Sequence, residues 1–185
     1  AVLGDVTAVD VDDCNLADEA AIAALVTRVA PDVIVNPAAY TAVDNAEKNQ
    51  DLAFAINGRA PGIFGEHAKR LGALVIHFST DYVFDGSKTT PYVETDATGP
   101  LGVYGASKLA GEQALATSGA AHVILRTSWV VGAHGANFAK TMLRLAKERD
   151  SLNVVSDQFG APTTAALLAD VTAHLVRNRN IAAQH

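Results

Sequence analysis

The 185-residue sequence is 49% apolar and 18% charged, with 14 Lys and Arg against 20 Asp and Glu for a formal net charge of -6, which suits one sizeable core and excludes a disordered chain. Scattered basic residues argue against nucleic acid as a partner, and no apolar run nears the roughly 20 residues that cross a bilayer. The single cysteine, Cys14, excludes an internal disulfide framework, and with no signal-peptide pattern at the start the expectation is a cytoplasmic protein with no membrane partner.

In chain order, residues 6–10 (VTAVD) alternate β-branched and small residues and end in an acid, as a short strand does. Asp18 is a good N-cap for a helix running to Pro31, with Ile22, Leu25, Val26 and Val29 on one face. Residues 32–36 (DVIVN) have strand length, and PAAYTAVDNAE then connects to a long helix over about 49–71, stopped by Gly72. Residues 73–79 (ALVIHFS) and 122–130 (HVILRTSWV) are two further apolar strands. Between them lie a loop rich in Thr, Gly, Pro and Asp and a helix that begins near Tyr104. Two more helices are expected, at about 137–149 and 163–176, joined by LNVVSDQFGAPT.

Strands apolar on both faces and alternating with helices indicate an α/β protein with a doubly wound parallel sheet. Ligands of such sheets bind beyond the carboxyl ends of the strands. Asp10, residues 36–41, Ser79, Thr80, Asp81, Ser128 and Trp129 all follow apolar runs and should converge on one crevice. The six histidines stand far apart without ligand spacing, so no metal site is expected, and each is read as an ordinary surface or core histidine.

The chemistry-bearing pair is Tyr104 and Lys108, four residues apart in YGASKLAGE and so on one face of a helix. Free tyrosine, with a pKa of about 10, shuttles protons poorly at neutral pH. A nearby ammonium favours the phenolate, so Lys108 is expected to lower the Tyr104 pKa and make the phenol a better acid toward a carbonyl becoming an alkoxide. Thr80 or Ser79 could donate a hydrogen bond to the same oxygen.

These motifs resemble the extended short-chain dehydrogenase/reductases and, within them, the dTDP-4-dehydrorhamnose reductases. The stretches DVIVNPAAYTAVDNAE, FSTDYVFDG, PYVETDATGPLGVYGASKLAGE, LRTSWVVGAHGANFAKTMLRLAKE and VVSDQFGAPT carry the resemblance over nearly the whole chain. It implies a Rossmann-like NAD(P)-binding fold that reduces the 4-keto group of dTDP-4-dehydro-L-rhamnose with NADPH or NADH, with a dTDP-sugar as substrate and room for a homodimer. By the same resemblance Tyr104 is the proton donor, Lys108 holds the nicotinamide ribose and tunes the tyrosine, and Thr80 bonds the reacting oxygen. Asp81 and Trp129 meet the sugar, while Ala38, Ala39, Tyr40 and Thr41 line the dinucleotide. Asp10 stands where an acid meets the adenosine ribose, a position that favours NADH because a carboxylate repels a 2′-phosphate.

The family's GxxGxxG loop has no match, since Gly4 is a lone turn glycine, and the start looks like the end of a first helix leading into a second strand. Residues 1–185 are therefore expected to be one NAD(P)-binding domain incomplete at both ends, with the small substrate lobe largely absent. Two alternatives share the same residues: another nucleotide-sugar epimerase or reductase, and a non-catalytic reductase-like regulatory subunit. A dehydratase is disfavoured because Tyr82 stands where a glutamate is needed beside Asp81.

Overall fold

The three apolar runs lie side by side as parallel strands: β1 (Val33–Asn36), β2 (Leu74–Thr80) and β3 (Ala121–Thr127), in the order β1-β2-β3. Val33 pairs with Leu74, and Leu74 in turn with Ala121. The structure, a computed structural model, describes residues 3–179.

β2 sits in the middle, and alternation along it feeds two cores. Leu74 and Ile76 pack with Val123, Leu125, Leu175 and Val176, the last two from α7 (Ala165–Arg177). Val75 enters the opposite layer with Ala68, Leu115 and Ala120, from α4 (Ala60–Leu71), α5 (Val103–Ser118) and the turn after α5. Helices on both faces make this the α/β parallel-sheet architecture expected from the sequence.

α1 (Glu19–Val29) begins where the Asp18 carboxylate accepts from the amides of Ala20 and Ala21. It buries Ile22 and Val26 against Phe64 of α4, while Leu25 stays partly buried at the same seam. Two short helices follow β1, α2 (Val43–Ala46) and α3 (Gln50–Ala53). The expected long helix over 49–71 is divided: α3 passes into a π-helical stretch, Phe54–Arg59, before α4. Such π-helical turns are rare and, where they occur, frequent at functional sites. Gly72 stops α4 in the left-handed region, at φ 68°.

Two strand expectations are corrected. Residues 6–10 form no strand: no other strand runs alongside them among the described residues to complete a ladder, and Val6 is left 74% exposed. β3 stops at Thr127, because Trp129 takes φ 44°, a conformation that costs a non-glycine residue about 1 kcal/mol or more and redirects the chain. Val130–Val131 then form β4, paired in parallel with β5 (Thr163–Thr164) in a separate two-stranded sheet. α6 (Phe138–Glu148) is capped by Asn137, as α7 is by Thr164. Gly4 is a turn glycine at φ 98°; Ala1 and Val2 of the expected opening helix end, and residues 180–185, lie outside the described residues. No helix among the described residues is long and apolar enough to cross a membrane.

Candidate active site

Tyr104 stands in the first turn of α5 and Lys108 one turn later, against the carboxyl half of β2. Lys108 is 2% exposed. Its Nζ donates to the Phe78 carbonyl at 2.6 Å and lies 3.4 Å from His77 Nε2. Burial lowers the lysine to about 8, with the Glu112 carboxylate opposing the shift. Glu112 is itself held by Arg126 of β3 through bonds of 3.0 and 2.7 Å. On the other side of Lys108, burial first and the ammonium second hold His77 neutral, at about 3.

The Tyr104 phenol is half-buried, its ring edge-to-face with Tyr82 at 5.5 Å. Burial pushes its pKa up, Asp81 and Tyr82 push the same way, and the Thr80 hydroxyl opposes them. This reverses the tuning expected from the sequence. Lys108 shares the helix face, but its ammonium is committed to the Phe78 carbonyl and the phenol environment is set by burial and the β2 end. The arrangement therefore supplies a neutral phenol at neutral pH, a group able to donate a proton to a developing alkoxide.

Thr80, Asp81 and Ser128 meet beside that phenol. The Thr80 hydroxyl donates to Asp81 Oδ1 at 3.2 Å and accepts from the Tyr82 amide at 3.3 Å. Ser128 donates to Asp81 Oδ2 at 2.7 Å. Asp81 thus fastens the end of β2 to the end of β3, and in this conformation the Thr80 proton points to it. Trp129 follows, 45% exposed, and Gly160 packs so closely on it that an added Cβ would lie 2.6 Å from the indole nitrogen.

Asp10, Ala38 and Ala39 come together elsewhere, around a cleft of about 420 Å³ that runs along β1 and is lined largely by apolar side chains of β1, α1 and α4, with Asn15, Asn36 and Pro37 also in its wall. Asp10 is exposed and places one carboxylate oxygen 2.7 Å from the Val11 amide. Tyr40 and Thr41 are absent from that lining. Tyr40 is instead clamped through its backbone, its N–H donating to Asn57 Oδ1 at 2.8 Å and its carbonyl accepting from Asn57 Nδ2 at 3.0 Å. Asn57 Nδ2 also donates to Ser107, which donates to the Tyr104 carbonyl. The cleft-side loop and the Tyr104 helix are so joined through a buried asparagine. Among the described residues no group of three or more His, Cys, Asp or Glu is placed to hold a metal ion.

Sequence reasoning missed His77, Asn57, Ser107 and Glu47. Glu47 Oε1 accepts from the Val103 amide at 2.8 Å and caps α5, whose own N-cap, Gly102, has no side chain to do so. We expect Glu47→Ala to lower stability by about 1 kcal/mol in urea denaturation, the usual worth of a helix cap, with Glu47→Gln retaining part of it.

Parallel strands covered on both faces, with polar side chains at their carboxyl ends beside a tyrosine/lysine helix, define a protein of Rossmann-like fold. The family model described as RmlD substrate binding domain matches residues 2–185, and the chain belongs to that family. The dTDP-4-dehydrorhamnose reductase of Burkholderia thailandensis is 52% identical over 174 residues, 94% of this chain and 58% of that protein. Its Escherichia coli K12 counterpart is 54% identical over 181 residues, covering 96% and 60%. The crystal structure of the Bacillus anthracis reductase in complex with NADP superposes with a TM-score of 0.89 at 39% identity, covering 94% of this chain and 62% of that one. That of the Clostridium acetobutylicum protein gives 0.91 at 39% identity, covering 95% and 62%. The chain thus spans about three fifths of the length of the relatives it matches.

Proposed function

We propose that the full-length protein reduces the 4-keto group of dTDP-4-dehydro-L-rhamnose to dTDP-L-rhamnose with NADPH or NADH, in the cytoplasm. The observation that carries this reading is the Tyr104 phenol, kept protonated beside Thr80 and one helical turn from a buried lysine. The names of the relatives, and the NADP bound to one of them, support it.

The residues present fit a dinucleotide. The cleft along β1 has the small side chains Ala38 and Ala39 and the Asp10 carboxylate in its wall, beside apolar side chains of β1, α1 and α4. Ser79 Oγ at the end of β2 is buried without a hydrogen-bond partner. Asp10, Ala38, Ala39, Tyr40 and Thr41 would hold the dinucleotide and Lys108 its nicotinamide ribose; when bound, it supplies the hydride. Asp10 suits a ribose 2′-hydroxyl and so NADH, whereas the Bacillus anthracis relative holds NADP, and both cofactors stay in the proposal.

For the reaction itself, Tyr104 gives its proton to the carbonyl oxygen as that oxygen gains charge. Thr80 turns its hydroxyl from Asp81 to the same oxygen, and Asp81 and Trp129 meet the sugar. The test is the absorbance of reduced nicotinamide on adding dTDP-4-dehydro-L-rhamnose to the full-length protein. A steady fall with formation of dTDP-L-rhamnose is expected; an inert protein that still binds nucleotide would overturn the reading.

A further inference from the structure

A line of polar side chains runs from the end of β1 across β2 to Lys108 of α5, buried along its length. Asn36 at the end of β1, His77 in β2 and Lys108 in α5 are 4%, 1% and 2% exposed. Asn36 Nδ2 is 3.2 Å from His77 Nδ1, and Lys108 Nζ is 3.4 Å from His77 Nε2. Val75, two residues earlier on the same face of β2, shows that an apolar side chain is accommodated in this layer. Placing an imidazole there is costly unless both of its nitrogens are bonded.

A neutral imidazole has one donor and one acceptor nitrogen, which allows two arrangements here. When Asn36 turns its oxygen to the ring, Nδ1 carries the proton and Nε2 accepts from a Lys108 ammonium. When Asn36 presents its amide N–H, Nδ1 accepts, Nε2 carries the proton, and it can be received only by an uncharged lysine amine. Each charge state of Lys108 therefore matches one tautomer of His77 and one orientation of the Asn36 amide.

We infer that His77, together with Asn36, is a positioning residue whose tautomer is coupled to the charge of Lys108, allowing that buried lysine to change protonation state without leaving a polar group unpaired. The catalytic consequence rests on the proposed role of Lys108 beside Tyr104; the coupling itself does not. The charged and titratable groups facing the pair are few: Tyr104 and Glu112 from α5, and Arg126 from β3, which is spent on Glu112. Asp81 acts on the Tyr104 side. With the lysine near 8 and the imidazole near 3, the ring takes up no second proton across neutral pH and only its tautomer can respond.

The experiment is a long-range proton–nitrogen correlation spectrum of the full-length protein labelled with nitrogen-15 histidine, from about pH 6 to about pH 10, a range that brackets the buried lysine. The His77 signals are identified as those missing from His77→Gln. The expected result is the Nδ1–H tautomer at the acid end and the Nε2–H tautomer at the alkaline end, exchanging with a midpoint near 8. A single tautomer throughout, or a ring that gains a second proton near the ordinary histidine value, would overturn the inference. Kinetics give a second readout. His77→Leu removes the acceptor for the ammonium, so the alkaline limb of kcat should move to lower pH by about one unit, with KM for the keto sugar within about twofold. His77→Gln, which keeps an acceptor, should restore it. An unmoved limb in a folded His77→Leu protein would count against the coupling, and a His77→Leu protein that fails to fold leaves the tautomer spectrum to decide. An inert parent would sink the reductase reading while leaving that spectrum decisive.

Discussion

Tyr104→Phe in the full-length protein lowers kcat for keto-sugar reduction by about 10²- to 10⁴-fold, the usual worth of a positioned general acid, and leaves nucleotide affinity within about threefold. The substitution removes one oxygen and little else. The ring of residue 104 packs edge-to-face on Tyr82, and that contact needs only the carbon framework. The backbone of residue 104 stays tied to Ser107 and through it to Asn57. Loss of rate with retained binding therefore isolates the proton, since a structural defect would lower both. Thr80→Val should cost less, because it removes one hydrogen bond to the same oxygen and leaves the proton donor in place. A Tyr104→Phe protein within threefold of the parent in kcat would move the proton donor to another group, and Asp81, 3.2 Å from the Thr80 hydroxyl, would be the first to substitute.

Local patterns were legible wherever local physics decides the structure. Asp18 caps α1 and Gly72 ends α4 because caps and left-handed stops depend on one residue and its nearest amides. β2 was legible because a strand buried on both faces reads as a near-continuous apolar run, here Leu74–Ile76 with Phe78. What depends on tertiary partners was not. Residues 6–10 have a strand's composition but no ladder to join among the described residues, and Trp129, two residues past β3, takes a left-handed conformation that no propensity favours. At the site, Tyr104, Lys108, Thr80 and Asp81 were legible as residue types at motif spacing. The expected lysine tuning was not correct, since burial, which spacing does not encode, is the first cause of the shift at both groups. His77, Asn57 and Glu47 act through partners 31, 50 and 56 residues away, and their only signal in the sequence is a polar residue within an otherwise apolar or helical run.

The helix that carries the chemistry is seated by its glycines, which makes Gly111→Ala the most damaging small substitution we expect. By helix propensity alone alanine improves α5 by about 1 kcal/mol. The neighbour decides otherwise. Gly111 lies on the π-helical stretch, where a Cβ would overlap the Asn57 carbonyl oxygen and also stand 3.0 Å from Pro61 Cγ and 3.2 Å from the Asn57 carbonyl carbon. Backbone cannot rotate out of the way as a side chain can, so α5 must shift as a unit, and overpacking of this kind costs about 3 kcal/mol. The shift also pulls on Asn57 itself, which holds Tyr40 and Ser107, so Tyr104 and Lys108 move relative to the β2 end. Gly111→Ala should accordingly lose about 3 kcal/mol in urea denaturation, and its kcat should fall by more than the unfolded fraction explains. Gln113→Ala, at an exposed position on the same helix, is the control and should change stability by no more than about 0.5 kcal/mol. A Gly111→Ala protein as stable as its parent would mean that α5 rides farther from the π-helical stretch than the structure places it, and the line from the cleft-side loop to Tyr104 would then have to run by another route.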